Sequence, residues 1–389
     1  MPRFLASRDP GAIRESLVRR GMEEDRAASI VDGFRTVTIL LDAVDDDSKL
    51  LLSQAALLHG LELATGDGWL TISGAVTRLA GLARSTSEKF PESLAKGLGT
   101  CLSRVAEPQR LWKMRLGTVV VDRPLVMGIL NTTPDSFSDG GKFLTRESAI
   151  ARADDLIEAG ADVIDVGGES TRPGRPDEVS VEEEWRRVRP VVEHMRSCHP
   201  TVPLSVDTVK SDIAERALDA GAWAVNDVSA LRLDPRIADV CSRCEAGLIL
   251  SHSRGSFPEM AGYEHAEYLD VTTEIAHELM AAVAVAEDRG VWREQIVIDP
   301  GLGFAKTPEQ NREVLRGLPI LTSLGLPMLI GPSRKRFLGE ITGKDTHQLD
   351  SATAAACVAA FFGGAYLFRV HDVSGVKESL AVAEALRST

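Results

Sequence analysis

Polar residues collect at one kind of place in this 389-residue chain, directly after short apolar runs. The run Pro124–Leu130 breaks at Asn131 into Thr132–Phe143, a stretch of Thr, Ser, Asp and Gly. Later runs end in Asp165 and Glu169-Ser170-Thr171-Arg172, in Ser205-Val206-Asp207, in Asn226-Asp227 and in Ser251-His252-Ser253-Arg254. Three more end in Asp299-Pro300-Gly301-Leu302-Gly303-Phe304, in Ser333-Arg334-Lys335 and in Arg369-Val370-His371-Asp372. An apolar run that turns polar and glycine-rich reads as a buried strand passing into a loop. A single Asp at such a point is more often a helix cap than a ligand. The coincidence of all the endings is what points to a site. Asp207, Asn226, Asp299 and Lys335 offer the mixed donors and acceptors that suit a flat polar heterocycle. Arg172, Arg254, Arg369 and His371 supply cations for phosphate oxygens. Asn131 with nearby oxygens suits a Mg²⁺ ion that keeps most of its waters.

The elements that must position these groups alternate. Strand candidates at 125–130, 162–166, 204–206, 224–226, 247–250, 296–298, 328–330 and 366–370 are separated by amphipathic stretches such as Ser148–Ala159, Val181–Met195, Ser211–Ala220, Asp270–Arg289 and Gln310–Leu318. This spacing predicts an α/β fold, a (β/α)8 TIM barrel over residues 120–389, near the typical length of roughly 250 residues. Active sites of such barrels gather at the C-terminal ends of the strands. A doubly wound sheet competes, but no GxGxxG follows the first strand. Residues 1–115 read as a small N-terminal α/β or mainly helical extension without a catalytic constellation. Helices are expected from Asp9-Pro10, over Lys49–Ala64 and over Val76–Ala83, a strand at Trp69–Ile72, and a helical connection over Pro91–Arg115.

A net charge of −13, with the acid excess in 116–389 and no basic stripe, argues against nucleic acid as the main partner. No run reaches the roughly 18–20 apolar residues of a membrane span. The first residues lack an apolar signal core, so a cytoplasmic location is expected. The five cysteines are scattered, and Cys241-Ser-Arg-Cys244 lies in a helical pattern as two small residues one turn apart.

The segments MGILNTTPDSFSDGG, DVGGESTRPG, SVDT, ND, DPGLGF, GPSRKRF and RVHD, in that order, resemble dihydropteroate synthase over about residues 120–389. The resemblance implies condensation of 6-hydroxymethyl-7,8-dihydropterin diphosphate with 4-aminobenzoate, giving 7,8-dihydropteroate and pyrophosphate. It implies Asn131 as a Mg²⁺ and pyrophosphate contact, and Asp207, Asn226, Asp299 and Lys335 as the pterin-reading set. Thr171, Arg369 and His371 correspond to pyrophosphate contacts, with Arg172 beside them, and Ser333 and Phe304 to the aminobenzoate site. The loops Thr132–Phe143 and Glu169–Pro176 correspond to those that close over the second substrate. Departure of pyrophosphate would leave a delocalised pterin-methylene cation, with Asp135 or Asp207 as its electrostatic partner and Lys335 among the catalytic groups. A homodimer is implied, with Ala352–Phe362 as a contributing face. The chain departs from the family in Ser251-His252-Ser253, where Met-His-Met is usual. A pterin-dependent methyltransferase and a non-catalytic pterin-binding paralogue are the alternatives at this level.

Overall fold

A computed structural model describes residues 36–42, 44–67, 69–86, 108–133, 146–169 and 179–387, with short pieces between 14 and 27 and between 99 and 104. The chain divides into two compact units, Met1–Glu107 with Leu386–Thr389, and Pro108–Ala385.

In the first unit, β1 (Thr36–Asp42), β2 (Glu62–Gly66) and β3 (Trp69–Ala75) form an antiparallel sheet in the order β1-β3-β2. Helix α1 (Asp46–Leu58) starts at Asp45, whose carboxylate accepts the Ser48 N–H at 2.8 Å, and α2 (Val76–Thr86) follows β3 directly. Leu52 and Ala56 of α1 and Leu79 and Leu82 of α2 pack with Ile39, Leu70 and Ile72 of the sheet. The helix expected over Lys49–Ala64 therefore stops early. Gly60, at φ +62°, turns the chain, and Glu62 begins a strand.

The second unit begins with a hairpin, β4 (Leu111–Met114) and β5 (Gly117–Val120), where a helical connection was expected. Then come β6 (Leu125–Asn131), α3 (Arg146–Glu158), β7 (Val163–Gly167), α4 (Val181–Cys198), β8 (Leu204–Asp207), α5 (Ser211–Ala220), β9 (Ala224–Asp227) and α6 (Arg236–Cys244). The series continues with β10 (Gly247–Ser251), α7 (Val271–Asp288), β11 (Ile296–Asp299), α8 (Pro308–Arg316), α9 (Leu318–Thr322), β12 (Leu329–Ile330), α10 (Arg336–Thr342), α11 (Asp350–Phe362), β13 (Leu367–Val370) and α12 (Val373–Leu386). β6 to β13 make one eight-stranded parallel sheet, and a bridge from Ile298 to Met328 joins its two ends into a (β/α)8 barrel.

Alternation along each strand sorts the residues. Val126, Ile164, Val166, Leu204, Val206, Val225, Leu248, Leu250, Ile296, Ile298, Phe368 and Val370 belong to the large core shared with the helices. The opposite parity fills the barrel interior: Leu125, Met127, Val163, Ala224, Ile249, Val297, Leu329 and Leu367 cluster together in its lower part. Trp112 and Met114 of the hairpin join that cluster and plug the N-terminal mouth, with the Trp112 indole donating to the Gln295 carbonyl at 3.0 Å. We expect Trp112→Ala to lower unfolding free energy by about 3–5 kcal/mol, the usual cost of emptying a large buried aromatic site. Urea unfolding measures that loss, and the strand C-termini should be unperturbed because the plug is at the opposite end of the barrel.

Candidate active site

One step further along the same inward parity, the interior turns polar. The residues are Asn131, Asp165, Ser205 and Asp207, Asn226, Ser251, Asp299 and Arg369, from seven of the eight barrel strands. Local sequence causes this: the outward positions stay mostly Val, Ile, Leu or Phe, while the inward ones turn polar toward the strand ends.

Arg369 sits at the centre. Its Nε donates to Asp165 Oδ2 at 2.6 Å and its Nη2 to Asp207 Oδ2 at 2.7 Å, while Asn226 Nδ2 donates to Asp165 Oδ2 at 3.1 Å. Three buried polar atoms here have no partner among the described residues: Asp165 Oδ1, Ser205 Oγ and Asn226 Oδ1. A buried polar group left unmatched costs free energy, so these atoms call for a polar partner, water or ligand, in the cavity they line. Burial raises the Asp207 carboxyl above its ordinary range, with Arg369 opposing and Asp165 adding to the rise. Burial also raises Asp299, and it pushes Lys335 down to about 8. Groups of both signs drawn toward neutrality in one cavity mark a functional site.

The β11 loop forms the next wall. Asp299 Oδ1 accepts the Gly301 N–H at 2.7 Å, and its Oδ2 accepts from Ser251 Oγ at 3.3 Å. Ser251 thus supports a carboxylate, and Ser253 donates to the Val228 carbonyl at 2.8 Å. Lys335, the N-cap of α10, places its ammonium 4.0 Å from the centre of the Phe304 ring. Phe304 in turn rests on Val209, Val228 and Met260. Gly303, at φ +80°, admits this stack, since a Cβ there would press on Lys335 Cδ at 2.8 Å. On the far side, Ser333 Oγ lies 2.9 Å from His371 Nδ1 and accepts the His371 backbone N–H at 3.1 Å.

Asp207, Asn226, Asp299, Lys335, Phe304, Ser333, Arg369 and His371 thus stand around one mouth, with Asn131 half-buried at the end of β6. Asp135, Thr171 and Arg172 lie outside the described residues. Arg254 departs from expectation. Its guanidinium is taken up by Glu274, at 2.9 Å, and Glu278, and lies over the Tyr268 ring. Asp227 holds the turn after β9, accepting from Ser229 N at 2.8 Å and Leu231 N at 2.6 Å. Cys241 is buried in the core, which pushes its thiol up and keeps it unreactive.

Sequence reasoning placed Asp165 and Ser205 at strand ends without giving them a role, and it missed Lys306. Asp165 and Ser205 share the inward parity of Gly167 and Asp207, a signal that was present in the alternation. Lys306 carried no such signal. It is 1% exposed, and its Nζ reaches His252 Nδ1 at 3.0 Å, the Gly301 carbonyl at 3.1 Å and the Phe304 carbonyl at 3.0 Å. The base of the second loop is also pinned: Lys210 Nζ donates to Glu169 at 2.7 Å, Glu184 at 2.8 Å and the Val179 carbonyl at 2.5 Å.

The family described as pterin binding enzyme matches residues 127–371, nearly the whole barrel unit. The chain belongs to the pterin-binding enzymes. Within that family it is 45% identical over 265 residues to the dihydropteroate synthase of a Synechocystis strain, covering 68% of this chain and 90% of the relative. A solved Xanthomonas albilineans dihydropteroate synthase with 4-aminobenzoic acid superposes with a TM-score of 0.66 at 41% identity, covering 71% of this chain and 98% of the other. The same enzyme in complex with 7,8-dihydropteroate gives a TM-score of 0.63 at 40% identity, over 71% and 99% of the two chains.

Proposed function

We propose that the chain is a dihydropteroate synthase, a transferase that joins the methylene of 6-hydroxymethyl-7,8-dihydropterin diphosphate to the amine of 4-aminobenzoate in folate biosynthesis. The observation that carries this reading is the inner layer itself, with Asp165, Ser205 and Asn226 holding unmatched buried atoms beside Asp207 and Arg369. A pterin edge alternates N–H donors with C=O and ring-nitrogen acceptors. Carboxylates of Asp165 and Asp207 take its N–H groups, Asn226 serves either kind, and Lys335 donates to an acceptor.

The C–O bond between the pterin methylene and the diphosphate breaks, and its electron pair leaves with pyrophosphate. The arylamine lone pair forms the new C–N bond, and the amine proton passes to solvent or to the leaving pyrophosphate. The cation that develops on the methylene is delocalised into the ring and faces the carboxylates of Asp207 and Asp165. Two of the N–H groups of Arg369 are held by these carboxylates, and the remaining ones are available to pyrophosphate. No enzyme nucleophile is required. Asp135 is a further candidate for stabilising the cation, and Thr171 and Arg172 for holding the leaving group.

The donors present fit Mg²⁺. Asn131 offers one neutral amide oxygen at the mouth, and Mg²⁺ is bound by few protein oxygens when phosphates and water complete its shell. When bound there, Mg²⁺ would neutralise charge on the diphosphate.

The carboxylate of 4-aminobenzoate is assigned to Ser333, with Phe304 against its ring. For Ser333 to donate its hydroxyl proton to that carboxylate, His371 must carry its own proton on Nδ1 and give it to Ser333 Oγ. Phe362, exposed at the end of α11, suits a homodimer contact, and a cytoplasmic location goes with this reading.

The decisive test is pyrophosphate release that depends on 4-aminobenzoate, with 7,8-dihydropteroate identified by mass spectrometry. Pterin binding without release would reject catalysis and leave a pterin-binding protein. Asn226→Ala is expected to lower kcat/KM by about 100-fold, mainly through KM for the pterin substrate, since a site built around hydrogen bonds loses heavily when one partner is removed.

A further inference from the structure

We propose that Asp154, His194 and His199 form a binding site for one divalent transition-metal ion on the outer helical layer. Asp154 comes from α3, His194 from near the C-terminal end of α4, and His199 is the residue that caps α4. Both imidazole Nε2 atoms lie 2.8 Å from the same carboxylate oxygen, Asp154 Oδ1, and the ring centres are 5.5 Å apart. The three candidate ligand atoms fall within 4.8 Å of one another. Two ring nitrogens converging on one oxygen must each bring a proton to it. A metal ion takes the place of both shared protons: each neutral imidazole carries its proton on Nδ1 instead and coordinates through Nε2, and the Asp154 oxygen supplies the third bond.

Ligand separations in tetrahedral sites are about 3.3–3.5 Å, given metal–ligand bonds of about 2.0–2.1 Å. The two N···O separations of 2.8 Å reach that spacing if the rings move back by about half an ångström each, and the two Nε2 atoms, within 4.8 Å of each other, adjust toward it by ring rotation. The donor set chooses the metal: two imidazoles and one carboxylate suit Zn²⁺, Co²⁺ or Ni²⁺ and suit Mg²⁺ or Ca²⁺ poorly. Side-chain exposures of 17% for His194, 28% for His199 and 39% for Asp154 leave a face open for a water ligand and for exchange.

The position separates this site from catalysis. α4 runs from the loop after β7 back to the start of β8, so its last turn lies at the N-terminal end of the barrel, away from the polar mouth. The ion would clamp α3 to α4. Each of these helices follows one of the two loops assigned to close over the second substrate, yet none of the three ligands belongs to those loops. Metal uptake is therefore expected to raise the unfolding midpoint and leave KM for both substrates unchanged.

Cobalt absorption tests the proposal on the intact chain in excess Mg²⁺, which occupies any hard-cation site at the mouth. One equivalent of Co²⁺ per chain, with visible d–d bands displaced by Zn²⁺, is the expected result. His194→Gln combined with His199→Gln should abolish the bands and the metal-dependent rise in midpoint, with pterin-diphosphate turnover retained. Asn131→Ala should keep both. Absence of Co²⁺ uptake at 100-fold excess, or uptake equal in the double variant, would overturn the site. Loss of the bands in Asn131→Ala would instead place the ion at the mouth and equally reject it.

Discussion

Arg369→Met is expected to reduce stability by about 3–5 kcal/mol and to abolish measurable turnover. Removing this guanidinium leaves Asp165, fully buried, and Asp207 facing each other without the cation that both contact. A buried charge stripped of its partner costs that much because nothing replaces the lost water. The pH dependence has a definite sign. Burial already raises Asp207, and Arg369 opposes the rise, so removing Arg369 raises it further. A carboxyl whose folded pKa is raised binds protons the unfolded chain has released, and its stability contribution is lost as pH climbs through the folded value. The deficit of the variant should therefore be smallest near pH 4, the ordinary Asp range, and largest above neutrality. Arg369→Lys keeps one charge but cannot serve Asp165 through Nε and Asp207 through Nη2 together. It should recover much of the stability and little of kcat. Equal stability deficits for the Met variant at pH 5 and pH 8 would contradict the pairing.

Lys306→Met should lower kcat/KM by about 10- to 100-fold without touching either substrate. Its ammonium gathers the Gly301 and Phe304 carbonyls from a loop in which Gly301, Gly303 and Ala305 all take positive φ, at 67°, 80° and 45°. That loop aims Asp299 and Phe304 into the site, and displacement of reactive geometry by about 1 Å costs on the order of 100-fold. The third contact fixes a tautomer: His252 accepts from Lys306 at Nδ1 and gives its Nε2 proton to Glu278 at 3.0 Å. His252 is accordingly pushed down to about 4 by burial and by Lys306. Stability across pH distinguishes this role from simple packing. Burial pushes Lys306 down to about 7, with Asp299 and Glu278 opposing. Between there and the usual lysine value of about 10.4, the unfolded chain holds a proton that the folded chain has released. This group's contribution to stability therefore rises with pH over that window and is lost as pH falls through 7. Denaturation midpoints at pH 7 and pH 9.5 should diverge in the wild type by more than in the methionine variant. Parallel curves for the two proteins would remove Lys306 from this account.

Strand ends, helix spans and the (β/α)8 architecture were legible in the chain because each rests on local period. The start of Ser211–Ala220 and its end agree between sequence and structure to the residue. The same local rule failed where a residue's neighbours are distant. Lys49–Ala64 has helical spacing, yet Glu62–Gly66 is needed as the edge of a sheet, so tertiary pairing overrides the period there. Residues 111–120 have no isolated preference strong enough to announce a hairpin; they become one because the barrel's N-terminal mouth needs a plug, which Trp112 fills.

The sequence by itself determined which side chains stand at the strand ends, since apolar periodicity and its interruption are written along the chain. Only the tertiary structure decided which of them meet. Arg369 and Asp165 are 204 positions apart, and Lys306 and His252 are 54 apart. Their pairing follows from ring closure and from the register of neighbouring strands, quantities that no local period encodes. Arg254 makes the same point from the other direction. Its charge and place after β10 suggested a phosphate contact, but the fold brings Glu274 and Glu278 of α7 beside it. The opening feature of the chain, an apolar run breaking at Asn131, keeps its meaning as a strand end facing the site, because inward parity from Leu125 through Met127 carries Asn131 to the polar mouth.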